Sequence, residues 1–131
     1  MKKTTLLQSD LSYIIATLGH LDMLVIADAG LPIPAETVRI DLALTQGVPG
    51  ATQTLKVVLD EMKVEKAILA EEVKDRNPKF LADVQELLPD VPVEFVAHSE
   101  LKRMTLSARA VVRTGEFAPY ANVILVSGVV F

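Results

Sequence analysis

The stretch that most constrains this chain is the apolar run Met23-Leu24-Val25-Ile26-Ala27, which leads straight into Asp28 and a proline-rich corner. The run is too short for a helix of its own and suits a strand buried on both faces. Such a strand belongs in a sheet covered by helices on both sides. Gly30, Pro32 and Pro34 follow at once, so the Asp28 carboxylate is carried on a stiffened turn. Ligands of open α/β sheets bind outside the carboxyl ends of strands. Residues 18–41 therefore hold the candidate active site. His20, one of two histidines in the chain, stands three residues ahead of the run.

The remainder alternates between helix and strand patterns. Leu11, Ile14, Ile15 and Leu18 recur at the spacing of a helix face. Ser9 or Asp10 is the expected cap and Gly19 the expected stop. Val38, Ile40, Leu42 and Leu44 alternate with Arg39, Asp41 and Ala43, the period of a strand with one more polar face. After a turn at Gly47, Pro49 and Gly50, a second helix is marked by Leu55, Val58, Leu59 and Met62. Residues 66–70 read as a short buried strand running into Glu71 and Glu72, and Asn77-Pro78 supplies a cap and a first-turn proline for another helix. Alternation from Val91 to Ala97 ends on His98, and Ser99 can cap a short helix to about Leu106. Residues 108–113 and 122–126 read as two further strands joined by a loop containing Gly115 and Pro119. This order predicts an α/β fold, three-layer α/β/α, with a mostly parallel central sheet. The connection between residues 28 and 38 is too short for a helical crossover, which predicts a mixed sheet. No linker or repeat divides the chain, and residues 1–131 are expected to form a single domain.

Half of the residues are hydrophobic, and a domain this small has little interior in which to hide them. Burial of apolar surface between copies of the chain is the expected outlet. No apolar run approaches the roughly 18 residues of a membrane span. The net charge is −4 and the Lys and Arg residues are scattered, which is no footprint for nucleic acid. Neither nucleic acid nor a membrane is an expected partner. The absence of cysteine removes disulfides, thiol catalysis and the usual structural zinc sites. Met1-Lys2-Lys3 mimics the start of a signal peptide, but Gln8, Ser9 and Asp10 break the apolar stretch that should follow. A cytoplasmic location is expected.

Several polar residues stand where chemistry is done. Aspartate straight after a buried strand is disfavoured unless a ligand uses it or it braces the turn through local hydrogen bonds. His20 and His98 both fall at element ends, where a histidine serves either as a surface or capping group or in acid–base work. Tyr120 and Asn122 flank Ala121, and on an extended segment they point to the same side. A phenol and an amide there suit a polyhydroxylated ligand. Glu71 and Glu72, with Lys74 and Arg76 nearby, read as a solvated charge cluster. Arg113 and Glu116 read as an ion pair that holds the following loop. No Gly-rich phosphate loop, metal-ligand spacing or Ser-His-Asp order is present, so neither a metal nor another cofactor is expected. The residues alone thus lead to an α/β domain with polar groups gathered for a small neutral polar ligand.

Taken together, these residues resemble the D-ribose pyranase family, the RbsD/FucU sugar mutarotases, over essentially the whole chain. The likeness is carried by Leu18-Gly19-His20 with Asp22, by Asp28 to Pro34, by Arg39 to Leu44, and by Ala70-Glu71-Glu72. Arg113 to Glu116, continuing through Pro119 to Asn122, and the closing Gly128-Val129-Val130-Phe131 complete it. The resemblance implies a cofactor-free intramolecular isomerase that interconverts the pyranose and furanose forms of D-ribose. His20 matches the family's catalytic histidine, and Asp28, His98 and the Tyr120-Ala121-Asn122 segment match positions that hold the sugar. It also implies ring-shaped homo-oligomers, decamers in the ribose branch, with sites shared across subunit contacts. The Gly30-Leu31-Pro32-Ile33-Pro34 form is that of the ribose branch rather than of its sister, the fucose mutarotases. A non-catalytic sugar-binding module associated with ribose transport is the alternative from another class. Whether Asp28 orients His20 or grips a hydroxyl, and whether His98 shares the proton transfer, are left open by the residues alone.

Overall fold

The computed structural model describes residues 1–131. Along them, α1 (Ser9–Thr17) leads into β1 (Met23–Ala27), β2 (Arg39–Asp41), α2 (Ala51–Leu59), β3 (Val64–Ala70) and the single turn α3 (Val73–Arg76). α4 (Pro78–Leu87), β4 (Val93–Val96), α5 (His98–Met104), β5 (Ala110–Arg113) and β6 (Val123–Ser127) complete the chain. The six strands form one sheet in the order β2-β5-β1-β6-β3-β4. The middle of the sheet is taken by the most apolar strands, and Leu24 to Ala27 and Val123 to Val126 are withdrawn from solvent. Successive side chains on a strand point to opposite faces. Leu24, Ile26, Val123 and Leu125 accordingly pack with Leu11 of α1, Leu55 and Val58 of α2, and Phe80 and Val84 of α4. Val25, Ala27, Ile124 and Val126 pack on the other face with Leu101 of α5 and Leu31 of the turn after β1. The three layers are therefore lopsided, with α1, α2, α4 and the single turn α3 on one face and a short helix and a turn on the other. No helix is long and apolar enough to cross a membrane.

The sheet is mostly parallel and mixed, as expected, although the short 28–38 connection is not what mixes it. β1 and β2 both pair parallel with β5, and the connection passes from one side of β5 to the other without a helix. The reversed strand is β6, antiparallel to β1 and to β3, while β3 and β4 are parallel. β2 is also shorter than the alternation over 38–44 predicts. Leu42 N–H still reaches the Arg113 carbonyl, but Leu44 N–H turns back to Val48, which takes the chain off the sheet edge.

Three helix-end signals resolve differently from the sequence reading. Gln8, rather than Ser9 or Asp10, caps α1, its side-chain oxygen accepting from Leu11 N–H at 2.6 Å. After α1 the left-handed residue is Leu21, at φ 70°, and not Gly19. Gly19 N–H is instead taken by the Asp22 carboxylate at 2.8 Å. That bond and the Arg109 guanidinium hold the Asp22 carboxyl below its ordinary range. Ser99 lies inside α5, which begins on His98. Asn77 does cap α4, accepting from Phe80 N–H at 3.1 Å. Because five strands run one way and β6 the other, the ends of β1, β2, β3, β4 and β5 and the start of β6 share one end of the sheet.

Candidate active site

At that end the Asp28 carboxylate is held from two sides. Asp28 N–H donates to Asn122 Oδ1 and Asn122 Nδ2 donates to Asp28 Oδ2, both at 2.9 Å. Gly30 N–H donates to Asp28 Oδ1 at 2.9 Å. Each carboxylate oxygen thus has one fixed donor and a lone pair to spare. The expectation that the Asn122 amide faces a ligand does not hold, since Asn122 is 0% exposed and its amide is committed to Asp28. The spacing argument fails because Tyr120 adopts φ 58°, so the segment is not extended there. Tyr120 itself stands at the site, its ring edge-on to His98 with centroids 5.0 Å apart and planes at 77°. The Arg76 guanidinium lies 5.9 Å from the same ring.

His98 enters from the end of β4. The Glu72 carboxylate accepts its backbone N–H at 3.0 Å, which ties the start of α5 to the segment after β3. Glu72 therefore leaves the solvated cluster expected of it, whereas Glu71 stays there, paired with Lys74 at 2.8 Å. Burial holds the His98 imidazole below the ordinary histidine value, and Lys102 adds to the effect. The Glu72 and Asp28 carboxylates oppose it without reversing it.

Asp28, His98 and Tyr120 face a common cavity of about 670 Å³, within the range of small-molecule sites. The turn from Ala29 to Pro32 forms one wall and Glu116 to Pro119 another, with Arg76, Lys102 and Arg113 bringing positive charge. Arg113 does not pair with Glu116. Its Nε donates to the Ala29 carbonyl at 3.0 Å, and its terminal nitrogen contacts both Asp41 oxygens at 3.1 and 3.2 Å. Glu116 instead accepts from the N–H groups of Phe117 and Ala118, at 3.1 and 3.0 Å. Its own carbonyl receives Ala29 N–H at 2.8 Å. The peptide after Asp28 is thus clamped on both sides. Gly115 lets this loop close, because a Cβ there would come within 2.5 Å of the Thr45 carbonyl oxygen. No three acidic or histidine side chains are grouped as a metal ion would require.

His20 lies elsewhere. It precedes β1, with Nε2 2.8 Å from the Glu65 carboxylate near the start of β3. The five residues of β1 span about 17 Å between it and the Asp28 end. Within one chain His20 does not line the cavity. Sequence reading also overlooked Lys102 and gave Arg76 and Arg113 other work. Lys102 carries a usable signal, since four residues after His98 on a helix places both on one face.

A cavity at strand ends with an anchored carboxylate, an imidazole and a phenol offers the donors and acceptors that a small polyhydroxylated molecule requires. The chain belongs to the RbsD / FucU transport protein family, whose sequence model matches residues 1–130. It is 59% identical to the D-ribose pyranase of Chloroflexus aggregans across the whole of both chains. It superposes on Bacillus subtilis RbsD complexed with D-ribose with a TM-score of 0.97 and 47% identity, covering 100% of each chain. FucU from Bifidobacterium longum is more distant, with a TM-score of 0.77, 26% identity and 95% of each chain covered.

Proposed function

We infer that this chain is a D-ribose pyranase, an intramolecular isomerase that exchanges β-D-ribopyranose and β-D-ribofuranose. The observation that carries the reading is the anchored Asp28 beside His98 in a cavity of a chain that superposes, end to end, on a relative solved with D-ribose. Its full-length relatives at 47–59% identity favour ribose over fucose, for which the FucU likeness stands at 26%.

Changing ring size needs no cofactor. The anomeric hydroxyl loses a proton and becomes the aldehyde oxygen, while the bond from C1 to the ring oxygen breaks and that oxygen takes up a proton to become a hydroxyl. A different hydroxyl then adds to C1 and the proton exchange runs in reverse. The protons balance, so one imidazole can serve both directions. Asp28 has its rotamer set by Asn122 and Gly30, and its free lone pairs accept sugar hydroxyls. Its partner for orientation is Asn122, so gripping the sugar is its role rather than orienting His20. Tyr120 supplies a ring wall, whereas Ala121 is buried in the core and Asn122 lies behind Asp28, so neither of them lines the cavity.

His20 is the acid–base group, acting in the cavity of a neighbouring copy. Its own cavity is out of reach, and its ring is half exposed and paired with Glu65. Leu21, Val130 and Phe131 are exposed, as is Phe117 at the cavity rim. A pole of one copy meeting a different pole of the next is a head-to-tail contact, which forms a ring when the rotation between copies closes. The assembly is a cytoplasmic ring, a decamer by the family resemblance. The test is complementation. His20→Ala chains, which lack the acid–base group, and Asp28→Asn chains, which bind ribose weakly, should regain about a quarter of full activity when co-assembled in equal amounts and assayed at ribose well below KM, because a quarter of randomly filled contacts combine both intact groups. Mixed assemblies that stay inactive would refute the shared site. If ribose binds but exchange stays at the buffer rate in the unaltered protein, the chain is a sugar-binding module of the transport type.

A further inference from the structure

We propose that His98 works as a neutral imidazole in its Nε2–H form, donating from Nε2 to a sugar oxygen and taking no part in the proton transfers. The identity of the acceptor rests on the ribose reading above, and the form of the ring rests on geometry. His98 is the first residue of α5, and its backbone N–H is tied to Glu72. Its ring is set edge-on against Tyr120, so backbone and aromatic wall together fix where each ring nitrogen lies. In that position Nδ1 is buried and has no hydrogen-bond partner.

A neutral imidazole places its one N–H on either nitrogen. On Nδ1 that N–H would be a buried donor with nothing to receive it, the rarest kind of unsatisfied group in folded proteins. A lone pair in the same place costs less, so the proton belongs on Nε2. The imidazolium is worse on two counts. It would put an N–H on Nδ1 as well, and it would add a charge near the Lys102 ammonium one turn along the helix.

The groups that face His98 are Lys102 on its own helix, Glu72 ahead of α3, Asp28 after β1 and Tyr120 before β6. Arg76 stands behind the Tyr120 ring. On α5 itself, Glu100 and Arg103 neutralise each other at 2.9 Å. Burial and Lys102 together outweigh the two carboxylates and keep the ring uncharged. Asp28 and His98 then form a complementary pair, since one accepts a hydroxyl hydrogen while the other offers a hydrogen to an oxygen. Proton transfer through His98 would undo that pairing, which leaves the shuttle to His20.

The ring form can be measured without ribose or turnover. In protein labelled with ¹⁵N-histidine, a His20→Gln sample leaves a single imidazole to assign. Long-range ¹H–¹⁵N correlation near pH 7.5 should show an unprotonated Nδ1 and a protonated Nε2, with a titration midpoint below about 6.5. A protonated Nδ1, a mixture of tautomers, or a midpoint at or above about 6.5 would overturn the proposal. A second readout comes from His98→Gln in protein that keeps His20. KM for ribose should rise about fivefold or more while kcat falls less than about tenfold, because a donor and not a proton carrier is lost. A kcat loss beyond about tenfold makes His98 a proton carrier and ends the proposal. Failure of the ribose reading would look different, with the tautomer signature intact and wild-type exchange at the buffer rate.

Discussion

Asn122→Ala tests whether the buried amide exists to hold Asp28. The substitution removes two hydrogen bonds of 2.9 Å, one from Asp28 N–H and one to the Asp28 carboxylate. An N–H left without a partner costs about 1–3 kcal/mol, and a bond to a charged group is worth about 1.5–3 kcal/mol. Allowing for relaxation, about 3 kcal/mol should be lost from a total of about 5–15 kcal/mol. For a chain of this length that is a fall in Tm of roughly 10 °C. The freed carboxylate also loses its set direction, and losing one charged contact to the sugar weakens ribose binding about tenfold or more. Asn122→Asp refines the test, because it keeps the acceptor for Asp28 N–H and replaces the donor with a second carboxylate. Two carboxylates so close must share a proton, which raises the apparent pKa of the pair. Ribose binding by that variant should therefore improve as pH falls. Calorimetry and ribose titration on one sample read both effects. Normal melting with normal binding for Asn122→Ala would refute the lock, and lost stability with normal binding would remove Asp28 from the sugar site.

Other substitutions separate chemistry from positioning. His20→Ala should lower the exchange rate by about 10²-fold or more and leave melting nearly unchanged, because the ring is half exposed and paired only with Glu65; saturation transfer and a melting curve check this. Arg113→Met frees the Ala29 carbonyl and Asp41, so ribose KM should rise about tenfold while the fold persists. Arg113→Lys should not restore it, since an ammonium cannot fork to both partners. The lowered His98 pKa implies a pH effect of stated sign. The unfolded chain takes up the proton first, near pH 6.5, so the contribution to stability is complete above about pH 6.5 and is lost as pH falls through the lower folded value. Tm should decline on mild acidification, and that part of the slope should vanish in His98→Gln.

What could be read without coordinates follows a physical rule. Met23 to Ala27 and Asn77-Pro78 declare themselves because burial and capping act locally, and the strand and helix appear where expected. The position of Asp28 follows from the strand before it. The failures come where distant parts of the chain decide. His20 and Asp28 are eight residues apart, yet the strand between them carries them to opposite ends of the sheet. Arg113 and Glu116 have a spacing that invites a pair, but the end of β5 aims Arg113 across to β2 and Ala29. Tyr120 takes a positive φ that no local pattern announces, and so Asn122 turns inward to Asp28. Glu72 sits among charges and looks solvated, while the return of β4 beside β3 brings His98 N–H to it. The resemblance supplied the site residues together. Their division into an anchored acceptor, a packed imidazole and a remote histidine required the fold.

The most direct test is NMR saturation transfer between the pyranose and furanose anomeric signals of D-ribose, with and without the protein. The unaltered protein should transfer saturation between the two ring forms well above the buffer rate, His20→Ala should return it close to that rate, and L-fucose should respond less than ribose. If ribose exchanges at the buffer rate in the presence of correctly assembled, unaltered protein, the chain is not a ribose pyranase, whatever its cavity binds.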